Sequence, residues 1–108
     1  MALTRDFRDT VRERATSDPA FREALLAEAM QQLLGGDLEA GRSALRTCIN
    51  ATIGFERLGK IVGKPPKSLM RMFGPDGNPT AQNLLGVIRA LQVETGVHLT
   101  VRAVADAA

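Results

Sequence analysis

Residues that start or stop helices recur along this chain, and between them the apolar residues keep helical spacing. Asp18-Pro19 joins an N-cap to a proline at the first helical position, where the missing N–H costs nothing. From there Phe21, Leu25, Leu26, Ala29, Met30, Leu33 and Leu34 form one apolar stripe until Gly35-Gly36 stops it. Asp37 caps the next helix, whose inward face is Leu38, Gly41, Leu45, Cys48 and Ile49, with Gly54 as the terminating residue. Ahead of these, Thr4 caps a first helix that ends near Ala15 and sets Leu3, Phe7 and Val11 on one face.

Beyond Gly54 the helices shorten. Phe55, Leu58, Ile61 and Val62 mark about two turns ending at Gly63, and Pro65-Pro66 opens another short helix carrying Leu69, Met72 and Phe73. The run from Gly74 to Pro79 is dense in turn residues, after which Asn78-Pro79 caps a longer helix bearing Ala81, Leu84, Leu85, Ile88 and Leu91. At Val97 the period changes to two: Val97, Leu99 and Val101 alternate with His98, Thr100 and Arg102, which reads as a strand, or else as a frayed tail. With 108 residues, four Phe and neither Trp nor Tyr, the chain supports one aliphatic core. The expected fold is mainly all-α, five to six helices in a single domain over 1–108. Its parts are an N-terminal helical extension (1–36), a core (37–94), and a C-terminal strand and tail (95–108).

Several functional classes find no footing. The charge-alternating start, MALTRDFRDTVRER, holds no apolar run for a signal peptide or membrane span, so a cytoplasmic location is expected. One cysteine and one histidine cannot build a Cys/His metal cluster, and Cys48, among Leu45, Ile49 and Thr52, reads as a buried thiol. No phosphate loop or paired carboxylates appear, and His98 stands alone, so neither catalysis, a cofactor, a metal nor a small-molecule substrate is expected. The informative signal is where the charge lies. Residues 1–53 carry seven Arg against eight acids, whereas 54–74 hold Arg57, Lys60, Lys64, Lys67 and Arg71 against Glu56 alone. Such a local excess is the footprint of a phosphate-binding surface. Glu56 is expected to pair with Lys60, four residues on.

Two short helices joined through Gly63 have the spacing of a helix-turn-helix, in which the first helix braces the second against the DNA major groove. The geometry calls for a small residue where the helices cross (Gly59), positive φ in the turn (Gly63) and apolar anchors (Leu58, Leu69, Phe73). The run FERLGKIVGKPPKSLMRMFGPDGNPTAQNLLGVIRALQ resembles the helix-turn-helix antitoxins of bacterial toxin–antitoxin modules, within the lambda-repressor-like transcriptional regulators. The most specific part is SLMRMFGPDGNPTAQNLLGVIRALQ, and the likeness extends over about residues 41–102. It implies a repressor that binds its own operator as a homodimer and neutralises a small toxin of the ribonuclease type. A stand-alone regulator and a helical protein-interaction adaptor are the alternatives.

Carried over residue by residue, the resemblance implies that Pro66, Lys67, Met70 and Arg71 face DNA, while Leu69, Met72 and Phe73 pack inward. Lys64, Asn78 and Thr80 would hold phosphate at the lip of the turn and near the next helix start. Phe55 and Pro66 stand where lambda-like repressors place amide side chains, and Lys64-Pro65 where the family has a hydrophobic residue and a Ser or Thr cap. Base reading through Gln is therefore excluded, and Arg71 and Lys67 are the candidates for base or phosphate contacts. Val97, Leu99 and Val101 are expected to pair with their own copies in a second subunit, because a lone strand leaves its backbone groups open.

Overall fold

The computed structural model describes residues 2–107, with side chains from Phe7 onward. Six helices follow in order: α1 (Ala2–Ser17), α2 (Pro19–Leu34), α3 (Leu38–Ala51), α4 (Gly54–Val62), α5 (Pro66–Met72) and α6 (Ala81–Thr95). The all-α expectation holds. The strand does not: among the described residues there is none, and the chain beyond Thr95 is irregular. A strand needs a neighbour for its backbone N–H and C=O groups, and the described residues offer none. The segment is held by side chains instead, Val97 N donating to Thr95 Oγ1 (3.4 Å) and Leu99 N to Gln92 Oε1 (2.9 Å).

The helix boundaries follow local chemistry. Asp18 accepts from the backbone N–H of Ala20 and Phe21, and Asp37 from that of Ala40. α1 begins at Ala2, so Thr4 lies inside it rather than capping it. α3 stops at Ala51 with Thr52 as its C-cap, and Gly54, expected as its terminator, opens α4 with φ +78°. Thr80, not Asn78-Pro79, caps α6 by accepting from Asn83 N at 3.2 Å.

α2 and α3 pack as an antiparallel pair, and Gly41 sits where they meet: a Cβ there would lie 2.5 Å from Leu33 Cδ2. The core comes from α2 to α6, with Leu26, Leu45, Ile49, Leu58, Leu69, Phe73 and Leu91 fully buried. Each such side chain contributes about 1.5–3 kcal/mol of hydrophobic stabilisation. Among its described side chains α1 adds only Ala15 to the buried apolar set. Its expected inward face is half open, with Phe7 69% exposed and Val11 half-buried, while Leu3 lies outside the described side chains. Leu34, Leu38, Ile61 and Leu85 also point to solvent although their spacing placed them inward. The apolar stripes of these helices are wider than the surface their neighbours cover. Among the described residues no helix is long and apolar enough to cross a membrane.

Candidate nucleic-acid interface

α4 and α5 are joined by residues 63–65, and the join depends on two glycines. Gly63 adopts φ +72°, where a glycine carries no Cβ penalty, and the Gly59 carbonyl accepts from the N–H groups of both Gly63 and Lys64. A Cβ on Gly59 would fall 2.6 Å from the Lys64 carbonyl oxygen and 3.4 Å from the Pro66 ring. The close approach of α5 to α4 is thus built on the missing side chain. Pro65 in extended conformation leads into α5, and its carbonyl accepts from Ser68 and Leu69 N–H.

Anchored in this way, α5 divides cleanly. Leu69 is buried, as is Phe73 just past the helix end, and Met72 is half-buried; Lys67, Met70 and Arg71 are exposed. Pro66, expected outward, is half-buried, because its ring fills the space over Gly59. Lys64 is half-buried and lines a cleft of about 320 Å³ with Val62, Leu69, Gln82, Asn83 and Gly86, between the turn and the start of α6. Asn78 is exposed on the loop, and Thr80 is exposed with its hydroxyl committed to the α6 cap.

The loop from Gly74 to Pro79 is pinned by a residue that sequence reasoning missed. Arg42, 8% exposed on α3, donates from Nη1 to the Gly77 carbonyl (2.5 Å) and from Nη2 to the Pro75 carbonyl (2.7 Å). Gly77 lies so close under α5 that a Cβ would collide with the Met72 carbonyl oxygen. A signal for Arg42 existed: it occupies a position on the buried stripe of α3, between Leu38 and Leu45, where an arginine must find acceptors.

Two ion pairs occur among the described residues, Arg14–Asp18 and Arg57–Glu94. The expected Glu56–Lys60 pair is not formed; Arg57 instead ties α4 to Glu94 of α6 at 2.5 Å. Among the described residues Lys60, Lys64, Lys67 and Arg71 have no carboxylate partner, a cationic surface across α4, the turn and α5. Cys48 is fully buried and desolvation pushes its pKa up to about 12, so it stays a protonated, inert thiol. Among the described residues no three His, Cys, Asp or Glu side chains converge as metal ligands.

Val97 and Leu99 pack partly buried against the core, while Val101 is 83% exposed, so the three residues expected to share one face are divided. The first two cover apolar surface of their own chain. Comparison of the chain with protein-family models, curated proteins and solved structures finds no match.

Proposed function

We propose that the protein is a sequence-specific DNA-binding repressor whose α5 enters the major groove, and that it serves as the antitoxin of a toxin–antitoxin module, repressing its own operon in the cytoplasm. One observation carries the DNA reading: Lys60, Lys64, Lys67 and Arg71 stand free of acidic partners on two short helices whose crossing is fixed by Gly59, Gly63 and buried Leu58, Leu69 and Phe73. Lys67 and Arg71, one turn apart on the exposed side of α5, are suited to guanine edges and phosphate. Lys64 and Lys60 neutralise the flanking backbone, with Asn78 on the pinned loop as a further phosphate contact. Thr80 acts there only through the backbone it organises. The exposed Met70 offers an apolar contact to a thymine methyl.

The repressor acts as a homodimer, with residues 97–101 and the exposed Val101 and Val104 meeting their copies across a twofold axis. The antitoxin role and its small ribonuclease-type toxin rest on the likeness of residues 41–102 to such antitoxins. Gel-shift titration of the full chain against the DNA upstream of its own coding sequence tests the proposal. Three cations on phosphate per subunit, Lys60, Lys64 and Lys67, give log K a slope of about −2.7 per protomer against log salt, following about −0.9 per neutralised phosphate. Binding that is absent at low salt overturns the DNA reading. DNA binding without co-purification of the product of the adjacent reading frame identifies a stand-alone repressor.

A further inference from the structure

Away from the α4–α5 surface, α1 and α3 enclose a groove of about 320 Å³. α1 contributes Phe7, Arg8, Val11 and Arg12, which fall on one side of the helix at the α-helical repeat, while Asp9 and Glu13 line a neighbouring hollow that Arg12 borders too. α3 contributes Arg46, Thr47 and Asn50, and among the described residues no carboxylate lines the groove. Arg8 and Arg46 have neither a hydrogen bond nor an ion pair among the described residues. Arg12 donates from Nε and Nη2 to the Asn50 carbonyl (3.2 and 2.9 Å), an uncharged acceptor. Phe7 leaves its ring in water beside them.

We propose that this groove docks an acidic segment of a partner protein, one that also carries an apolar side chain to cover Phe7. Three arginines with no lining carboxylate among the described residues select for negative charge, and an exposed phenylalanine flanked by Val11 selects for an apolar contact. The exposed Thr47 and Asn50 side chains offer hydrogen bonds to a peptide backbone. A polyphosphate backbone fits less well. It carries no aliphatic side chain to cover Phe7 and Val11, which an acidic peptide with an interspersed leucine supplies. The site is independent of the DNA reading, since none of its residues belongs to α4, α5 or the loop after them.

The test is fluorescence anisotropy of the full chain with a labelled peptide of Glu-Glu-Leu repeats, its Gln-Gln-Leu counterpart, and a single-stranded oligothymidine. The acidic peptide is expected to bind, to weaken with added salt, and to lose affinity about fivefold or more in Arg8→Glu and in Phe7→Ala. Both positions are exposed, so circular dichroism should show the fold unchanged. Lys67→Glu should leave peptide binding intact, placing it away from the DNA face. Equal binding of the glutamine peptide, an unaltered affinity in Arg8→Glu, or a loss in Lys67→Glu overturns the proposal. Oligothymidine binding that Arg8→Glu abolishes overturns it in favour of a nucleic-acid groove.

Discussion

Arg71 and Lys67 are exposed side chains on a helix whose buried neighbours do the structural work, so their removal separates binding from folding. Arg71→Ala should weaken operator binding by about 1–3 kcal/mol with the melting temperature unchanged. Lys67→Ala should weaken binding to all sequences alike and flatten the salt slope by about 0.9. Unchanged DNA affinity in both variants removes α5 from the interface. Cys48 gives a different kind of residue-scale prediction. Its folded pKa lies near 12, above the ordinary 9.0, so the fold favours the protonated thiol. That contribution is fully present below pH 9.0 and is lost as pH rises towards about 12, by up to about 1.4 kcal/mol per pH unit. Chemical denaturation of wild type and Cys48→Ala between pH 8 and 11 should show the steeper alkaline loss in wild type alone.

For the elements, position is set by close approach. Gly59→Ala places a Cβ against the Lys64 carbonyl, backbone that can yield only if α5 moves. It should cost about 1–3 kcal/mol and reduce DNA affinity more than stability alone explains, because α5 is displaced relative to α4. Arg42→Met keeps the volume and removes both donors to the loop carbonyls. It should destabilise by about 1–3 kcal/mol and release residues 74–79, read as faster amide exchange there. If exchange in that loop is unaltered, Arg42 does not hold it.

At the scale of the whole molecule, α1 and α2 separate in role although both precede the α3–α6 unit. α2 places Leu26 and Ala29 in the core, whereas α1 adds only Ala15 among its described side chains. A chain beginning at Asp18 should therefore stay folded, bind DNA and lose the acidic peptide, while one beginning at Asp37 should aggregate; light scattering and gel shift distinguish them. The proposed dimer would set two α5 helices about 34–36 Å apart and require a pseudo-palindromic operator. A chain ending at Leu99 keeps its core anchor and should sediment as a monomer. If it remains dimeric, the interface lies elsewhere, and the exposed Leu85 and Val93 of α6 are the surface to examine.

Capping and periodicity are local, and so the existence of all six helices, the buried Cys48, and the role of Gly63 could be read from neighbouring residues alone. The clustering of lysines was equally legible. What the sequence could not decide was which part of each apolar stripe finds a neighbour. Phe7, Leu34, Leu38 and Leu85 satisfy helical spacing yet face water, because coverage depends on where other helices lie. The strand from Val97 failed for the same reason: alternation prepares a chain for pairing, but pairing needs a second strand, and in its absence Val97 and Leu99 turn onto the core. Arg42 and the pairing of Arg57 with Glu94 rather than Glu56 with Lys60 belong to tertiary structure too. Both join groups more than thirty residues apart, and a polar side chain takes the partner that folding brings within hydrogen-bond reach.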